Sequence, residues 1–334
     1  MSIRVGVIGV GGIGGDHLRR LGTVLSGVVV AAVSDPDAQR ATTALNGGDD
    51  AVVLADGFEL IRRSDVDAVV IASPGFTHAD YVVACLAVGK PVFCEKPLAI
   101  SADDAWRVVQ AEVAEGRRLV QLGFMRRYDE SYRALKASLD TRVIGEPLII
   151  HCAHRNPEVP PTWTAEMTIA DSSVHDVDIV RFLTGDEIVA STVVRPRSSH
   201  HVAGLQDPLI ILLETAKGVI ADVELSVNIG YGYDIRAEVI GESGTAALGD
   251  DGLVTLKSAG RRSTDVPADW RQRFNRAYDR ELQEWIHATQ RGDCVGPSSW
   301  DGFVATTVAE ASMRSYVDGG RVAVSLPVTP KLYE

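Results

Sequence analysis

A glycine-rich segment near the start of the chain constrains the fold more than any other feature. Residues 3–8, IRVGVI, have the composition of a buried β-strand, and GVGGIG at 9–14 follows directly and opens a helical pattern. Gly9, Gly11 and Gly14 form a GxGxxG pattern between a strand and a helix, the context that a dinucleotide-binding turn requires. Such a turn presents backbone amides at a helix N-terminus to a pyrophosphate. The alternative interpretation is a glycine-rich loop without a ligand.

The strand and helix patterns that follow predict the fold around this turn. Further strand-like runs lie at 27–35, 51–55 and 67–73. Helical patterns alternate with them, and the last of these helices should begin after Ser101 as its N-cap and end at Gly116. Alternation of this kind indicates a parallel sheet with helices on both faces. We therefore predict a doubly wound α/β Rossmann domain over residues 1–122.

The pattern changes after about residue 122. Helical patterns occur near 129–139, 172–183, 271–290 and 301–318. Between the second and third of them lies a long region of strand-like runs, of which the last, TAALGD, covers 245–250. Short turns such as TAKG and GESGT join these runs and favour antiparallel pairing. Residues 123–334 are therefore predicted to form a second, α+β domain that contains a mainly antiparallel sheet.

Composition and charge narrow the class of ligand. The 334 residues include 45 Asp and Glu but only 33 Lys and Arg, and the formal net charge of −12 disfavours a nucleic-acid partner. No run approaches the ~18 apolar residues of a membrane helix, and the N-terminus lacks the pattern of a signal peptide. Four cysteines, none in a CxxC motif, are typical of reduced thiols. We expect a cytoplasmic protein without a membrane partner, whose ligand is a small neutral molecule or an anion bound by a local arginine cluster.

An acidic residue at the end of the second strand predicts which cofactor binds. Asp35 follows Gly14 by about 20 positions, the spacing of a carboxylate that binds the ribose hydroxyls of NAD. A negative charge there repels the 2′-phosphate of NADP, and the next residues, Pro36 and Asp37, supply no cation for it. NAD is therefore favoured over NADP. Asp35 is also a candidate N-cap for the following helix, and the two roles are compatible.

Two further segments carry groups suited to proton transfer. Lys96 follows a fifth strand-like run in KPVFCEKP, at 90–97, at the edge of the sheet where parallel α/β folds bind ligands. An ordinary surface lysine is the alternative. In DSSVHDVD, at 171–178, one continuous helix would stack Asp171, His175 and Asp178 on the same face. A carboxylate one turn before an imidazole can orient it and favour its charged form.

That acidic helix also has a simpler interpretation. Asp171 can be an N-cap carboxylate beside a helix histidine whose hydrogen bonds are satisfied by the core. Asp178 has three candidate roles. It can cap the helix, pair with Arg181, or contact a residue that itself binds the ligand. The residues alone leave these alternatives open.

Several motifs together resemble the glucose–fructose oxidoreductase/inositol dehydrogenase (Gfo/Idh/MocA) family over essentially the whole chain. In the first half they are the glycine-rich turn, SPGFTH at 73–78 and EKP at 95–97. In the second half, the similar segments are HRNPEVP at 154–160, 171–189, LQDP at 205–208 and YGYDIRAEVIGESGT at 231–245. These later segments are similar to members that oxidise inositols. The resemblance implies an NAD-carrying Rossmann domain and a second domain whose large open sheet supplies the substrate site and the contacts of a homo-oligomer, often a tetramer.

The resemblance also implies roles for individual residues. Lys96, Asp171 and His175 would be catalytic, with His175 as the base, and the peptide bond before Pro97 would be cis. In this scheme Lys96 stabilises developing alkoxide charge and Asp171 aligns His175. The residues expected to bind the cofactor are Gly9, Gly11, Gly12, Ile13, Gly14, Asp35, Ser73, Pro74, His78, Glu95 and Lys96. The residues expected to contact the substrate are Lys96, Arg126, His154, Asn156, Asp171, His175 and Tyr233.

The implied reaction is the NAD-dependent oxidation of a secondary alcohol of a cyclitol to a ketone, with myo-inositol as the leading substrate. Alternatives are another polyol or pyranose, such as scyllo- or chiro-inositol or glucose, and a non-catalytic NAD-sensing regulator. A reductase of anionic substrates would use Arg126, Arg127 and Arg155, which are equally suited to pair with acids. No metal site is expected, because His151 and His154 point to opposite faces of a strand and no ligand set has zinc spacing.

Overall fold

The chain folds into two compact units. The computed structural model describes residues 2–45, 51–249 and 255–334, except for the side chain of Ser258. The first unit comprises Met1–Phe124, Tyr278–Thr306 and Leu326–Glu334, and the second comprises Met125–Ala277 and Thr307–Ser325. Because these units are defined by packing rather than by bound ligands, the functional limits 1–122 and 123–334 remain predictions.

Six strands of the first unit form one parallel sheet. They are β1 (Ile3–Ile8), β2 (Val28–Ser34), β3 (Val52–Leu54), β4 (Ala68–Ile71), β5 (Val92–Cys94) and β6 (Val120–Leu122). Their order is β3-β2-β1-β4-β5-β6, and every neighbouring pair is parallel. The order reverses between β1 and β4, which confirms the predicted doubly wound Rossmann topology. Folds of this kind bind nucleotides in the crevice at that reversal.

The composition of these elements explains their positions. The sequence of β4, AVVI, is buried along its whole length, as expected for a central parallel strand that is covered on both faces. The intervening helices are α1 (Gly12–Thr23), α2 (Ala38–Ala44), α3 (Gly57–Arg62), α4 (His78–Ala87) and α5 (Ala102–Glu115). At the start of α5 the Ser101 hydroxyl accepts the Asp104 amide at 3.1 Å, and at its end Gly116 adopts a φ of 72°. Both predicted caps are confirmed.

The second unit is built on a sheet of seven strands. In chain order, the nine strands that the structure describes in this unit are β7 (Pro147–Arg155), β8 (Ile188–Val194), β9 (Leu209–Thr215), β10 (Ile220–Ser226), β11 (Asp234–Gly241), β12 (Thr245–Ala247), β13 (Thr255–Ser258), β14 (Arg261–Thr264) and β15 (Arg321–Ala323). The sheet order is β12-β11-β7-β10-β9-β8-β15, and β13 and β14 form a separate hairpin. Only the neighbours β7 and β10 are parallel, so the prediction of a mainly antiparallel sheet is confirmed. The predicted run at 245–250 ends at Asp250, which lies outside the described residues.

Helices cover one face of this sheet. They are α6 (Glu130–Asp140), which contacts β12, and α8 (Val174–Thr184), which packs on β7. The short helix α7 (Ala165–Met167) precedes α8 in the chain. The strand β7 accordingly alternates: Ile150, Cys152 and His154 are buried, whereas Ile149 and His151 are exposed. His154 therefore lies on the helix-covered face, and His151 on the open one, as the period of a strand predicts.

Two long helices lie near the end of the chain. They are α9 (Trp270–Gln290) and α10 (Ser299–Asp318), within two residues of the predicted limits. Among the described residues, we find no helix that combines the length and the apolar character needed to cross a membrane.

A buried carboxylate fastens several segments of the first unit together. Glu112 of α5 is 0% exposed, and its Oε1 accepts the amides of Leu119 and Val120 at 2.6 and 2.7 Å. Its Oε2 accepts the hydroxyls of Ser299 and Tyr333 at 2.6 and 2.8 Å. Four donors thus satisfy one carboxylate that burial would otherwise make costly.

We predict that Glu112→Gln destabilises the protein by about 1–3 kcal/mol, because the amide NH₂ would face groups that donate. For a protein of this size the expected fall in Tm is several degrees. Thermal and urea unfolding of the variant check this, with Glu115→Gln at the exposed end of the same helix as the matched control. Equal stability of the two variants would show that Glu112 does not hold these segments together.

Candidate active site

The glycine-rich turn has the geometry of a pyrophosphate site. Gly9 adopts a φ of 86°, and a Cβ there would lie 2.5 Å from the Ser73 backbone nitrogen. A Cβ on Gly14 would lie 2.1 Å from the Gly9 carbonyl oxygen, so only glycine permits this packing of α1 on the turn. Gly11 is the N-cap of α1, and a Cβ on it would meet nothing within 4 Å. The helix N-terminus, formed by Gly12 and Ile13, is therefore open to an anion.

Asp35 is held rigidly beside that turn. It is buried, and its Oδ2 accepts the Val10 amide at 3.0 Å while Oδ1 accepts the Asp37 amide at 2.9 Å. The helix α2 is capped by Asp37, whose Oδ1 accepts the Arg40 amide at 3.0 Å, so the N-cap interpretation of Asp35 was wrong. The helix begins later than predicted because Asp37, not Asp35, supplies the capping oxygen. The sequence argument also missed a cation: Arg40 Nη1 lies 3.6 Å from Asp35 Oδ1.

The segment SPGFTH follows β4 and ends in a histidine that contacts two loops at the carboxyl end of the parallel sheet. Ser73 and Pro74 precede a 3₁₀ turn, and His78 is the first residue of α4. The His78 ring is buried and spans two carbonyl groups, with Nδ1 2.7 Å from the Pro97 oxygen and Nε2 2.7 Å from the Ser73 oxygen. Burial lowers the pKa of this imidazole, although both carbonyl groups oppose the shift. His78 thus braces the loops around the predicted nicotinamide position.

The EKP segment follows β5 as predicted. The bond between Lys96 and Pro97 is cis, and the Lys96 side chain is half-buried. Glu95 is buried, and its Oε2 accepts the Lys96 amide at 3.2 Å. Its Oε1 lies 2.7 Å from Nε2 of His17, a fully buried histidine of α1. Sequence reasoning missed His17; its only signal was a polar residue on the buried face of the first helix.

The acidic helix departs from its predicted geometry. Residues Thr168–Ser172 form a π-helical turn, and α8 begins only at Val174. Asp171 is half-buried on the π turn, and His175 is buried in the first turn of α8. The prediction that one continuous α-helix stacks these two side chains was therefore wrong in its angular spacing, because a π turn holds more residues per turn.

Three residues that the resemblance assigns to substrate binding lie together in the second unit. The centroid of the His154 ring is 6.2 Å from that of His175 and 6.2 Å from that of Tyr233. Burial raises the pKa of Tyr233 to about 12, so its hydroxyl keeps its proton. Asn156 follows directly after β7 and is half-buried, and its backbone amide donates to the Ser226 carbonyl at 2.8 Å.

A buried charge network supports this cluster. Arg126 Nη1 lies 2.5 Å from Asp176 Oδ1, and both side chains are 1% exposed. Asp176 Oδ2 lies 2.9 Å from His154 Nδ1. Burial alone would raise the pKa of Asp176, but Arg126 and His154 outweigh burial and lower it. Sequence reasoning missed Asp176, which is the acid next to His175 in α8.

The remaining charged residues settle the interpretation of the three arginines and give Asp178 a partner, Arg127, that was not among its predicted roles. Asp178 pairs with Arg127, whose Nη2 lies 2.6 Å from Asp178 Oδ1. Arg155 pairs with Glu224 at 2.6 Å and with Asp234 at 3.0 Å. Since Arg126 also has an acidic partner, the interpretation that these three arginines pair with acids is confirmed. Within the described ranges no group of three or more acidic, histidine or cysteine side chains is arranged to hold a metal ion.

Comparisons with known proteins cover nearly the whole chain. The family model described as "Oxidoreductase family, NAD-binding Rossmann fold" matches residues 3–124, and the model described as "Oxidoreductase family, C-terminal alpha/beta domain" matches residues 136–324. The inositol 2-dehydrogenase of Ralstonia nicotianae is 49% identical over 335 residues, which cover 100% of this chain and 99% of that protein.

Two solved structures show the same fold. The myo-inositol dehydrogenase of Lactobacillus casei in complex with NAD(H) and myo-inositol superposes with a TM-score of 0.97 at 39% identity, covering 100% of both chains. The scyllo-inositol dehydrogenase of the same species, with bound NAD(H) and scyllo-inositol, has a TM-score of 0.90 at 25% identity and covers 97% of this chain and 99% of that one. The chain therefore belongs to the Gfo/Idh/MocA oxidoreductase family.

Proposed function

We propose that this protein is an NAD-dependent inositol dehydrogenase that oxidises myo-inositol to 2-keto-myo-inositol. The observation that carries the proposal is full-length similarity, at 49% identity, to a protein named inositol 2-dehydrogenase. The identity to the solved myo-inositol enzyme, 39%, also exceeds the 25% identity to the scyllo-inositol enzyme. This difference favours myo-inositol over its scyllo isomer.

The residues of the first unit suit NAD. The open N-terminus of α1 would bind the pyrophosphate, and Asp35 would accept the hydroxyls of the adenine ribose. Ser73, Pro74, His78 and Glu95 form or brace the loops where the nicotinamide would lie. When bound, NAD⁺ supplies the hydride acceptor, and the protein supplies orientation and electrostatics.

Lys96, Asp171 and His175 would carry out the proton transfer. His175 would take the proton of the reacting hydroxyl, since an imidazole titrates near neutral pH. The Lys96 ammonium would bond the same oxygen and stabilise the negative charge that develops on it. Asp171 would align His175. We propose that these three groups act on one hydroxyl.

The charge balance of the second unit favours a neutral substrate. Arg126, the most deeply buried of the three arginines, is already compensated by Asp176 at 2.5 Å. An anionic substrate would have to compete with that carboxylate, whereas a polyol needs only donors and acceptors. His154, Asn156 and Tyr233 supply such groups, and we propose that they bind the hydroxyls that do not react.

We further propose that the protein acts as a cytoplasmic homo-oligomer, with a tetramer as the form that the family resemblance favours. Its four cysteines are all unbridged, as expected of a reducing compartment. The open face of the large sheet exposes Ile149 by 39% and its register partner Ile220 by 39%. Exposed aliphatic groups on two inner strands of the sheet support association through that face.

A substrate panel tests the activity directly. The purified protein is incubated with NAD⁺ and with myo-, scyllo- or chiro-inositol or glucose, and NADH formation is recorded by absorbance. We expect the highest kcat/KM with myo-inositol. NAD binding without turnover of any polyol would instead support an NAD-sensing regulator.

Lys96→Ala should lower kcat by on the order of 10²-fold or more, because it removes a group that stabilises the transition state. NAD affinity, measured by calorimetry, should stay within a few-fold. Lys331→Ala, at an exposed lysine of the first unit, is the control for a lost charge. Near-normal turnover of Lys96→Ala would show that Lys96 is not needed for the reaction.

Asp35→Asn should shift the ratio of kcat/KM for NAD to that for NADP toward NADP by roughly tenfold, since it removes a charge-assisted hydrogen bond to the ribose. Asp37→Asn is the matched control, because asparagine caps a helix as well as aspartate does. A ratio that moves equally in both variants would exclude a specific ribose contact for Asp35.

A further inference from the structure

One buried acid contacts both a histidine and an arginine of the proposed substrate site. Asp176, in the first turn of α8, is 1% exposed, and its two carboxylate oxygens have different partners. Oδ1 accepts Arg126 Nη1 at 2.5 Å, and Oδ2 lies 2.9 Å from His154 Nδ1. His154 is 4% exposed on the helix-covered face of β7. The carboxylate therefore acts on the imidazole without access to solvent.

The same ring nitrogen has a second, conflicting neighbour. Arg126 Nη2 lies 3.1 Å from His154 Nδ1. A guanidinium nitrogen can only donate and an ionised carboxylate oxygen can only accept, so a single Nδ1 cannot satisfy both. If Nδ1 carries the proton, it donates to Asp176; if it does not, it accepts from Arg126. In a neutral ring these two arrangements are the two tautomers. A doubly protonated ring would place a second positive charge 3.1 Å from Arg126, which disfavours it.

The surroundings favour the proton on Nδ1. The carboxylate is the nearer neighbour, at 2.9 Å against 3.1 Å for the guanidinium. Asp176 is ionised, since the Arg126 guanidinium lowers its pKa despite the opposing effect of burial. Without the Nδ1 proton, an anionic oxygen would face a lone pair in a site that water does not reach. Arg126 is less dependent on the ring, because it already donates to Asp176 Oδ1 and has the Tyr233 hydroxyl as a further polar neighbour.

We propose that Asp176 is a positioning residue that holds the proton on Nδ1 of His154 and so leaves the lone pair on Nε2. The inference rests on the proposed function, in which His154 contacts the polyol. A lone pair on Nε2 accepts a hydrogen bond, so this position of the site recognises a hydroxyl as a donor. Asp176 would thus determine the polarity of one substrate contact without touching the substrate. Outer partners of this kind fix both the tautomer and the orientation of a histidine ring.

The tautomer is directly measurable by magic-angle-spinning ¹⁵N NMR of protein labelled at histidine, at the pH of the activity assay. His154→Gln assigns the signal, because it removes one of eight histidines. We expect a protonated Nδ1 and an unprotonated Nε2. Once the signal is assigned with folded His154→Gln, an Nε2–H tautomer or a doubly protonated ring in the wild-type protein would overturn the proposal.

Asp176→Asn tests whether Asp176 holds the proton on Nδ1 of His154. The carboxamide NH₂ would donate to Nδ1, so the tautomer should reverse, and kcat/KM for the best polyol of the panel should fall by roughly 10–100-fold. Asp178→Asn is the matched control for the spectrum, since that acid is buried in the same helix but pairs with Arg127. A reversed tautomer in Asp178→Asn, or an unchanged one in a folded Asp176→Asn, would contradict the proposal.

The outcomes separate this inference from the proposed function. Absence of turnover with every polyol, together with the Nδ1–H tautomer, would refute the dehydrogenase but not the role of Asp176 toward His154. Turnover of myo-inositol together with the Nε2–H tautomer would support the dehydrogenase and refute the role of Asp176 toward His154. Partial rescue of activity in Asp176→Glu, with the Nδ1–H tautomer kept, would support an electrostatic role over a purely structural one.

Discussion

The ion pair between Arg126 and Asp176 is the interaction on which the second unit depends most. Both side chains are 1% exposed, and the elements that they join are the turn Met125–Tyr128 and α8. Loss of one partner from a buried pair typically costs about 3–5 kcal/mol, because the other charge remains in a medium of low dielectric. Through His154 the pair also reaches β7, so the pair whose disruption would destabilise the unit is the same pair that faces Nδ1 of that histidine.

The first unit also contains a buried carboxylate that connects two segments, Glu95. This buried carboxylate contacts the Lys96 amide on one side and His17 of α1 on the other. Phe93 and Tyr278 pack edge-on against the His17 ring, with centroids 5.6 and 5.7 Å away. The helix that begins at the glycine-rich turn is therefore joined to the loop that carries the proposed catalytic lysine. In both units a buried carboxylate contacts a buried histidine, at 2.7 Å for Glu95 with His17 and at 2.9 Å for Asp176 with His154.

Patterns that depend on local geometry could be predicted from the sequence. The glycine-rich turn after β1, the caps Ser101 and Gly116, and the mainly antiparallel second sheet follow from periodicity and from backbone preferences. Properties that depend on tertiary packing could not. The sequence shows Asp171, Asp176 and Asp178 as similar acids, but only the packing of α8 on β7 determines that Asp176 meets His154. The π turn before α8 has no recognisable composition. The angle between Asp171 and His175 around the helix axis therefore could not be predicted from α-helical spacing.

The contacts of His78 have a consequence for motion in the loops after β4 and β5. Each of its ring nitrogens faces a carbonyl oxygen at 2.7 Å, but a neutral imidazole carries one N–H. Burial disfavours a second proton, because it lowers the pKa of the ring. The Ser73 loop and the Pro97 loop therefore compete for one hydrogen, and whichever gains it leaves the other opposite a lone pair. The brace between the two loops therefore rests on one hydrogen bond rather than two.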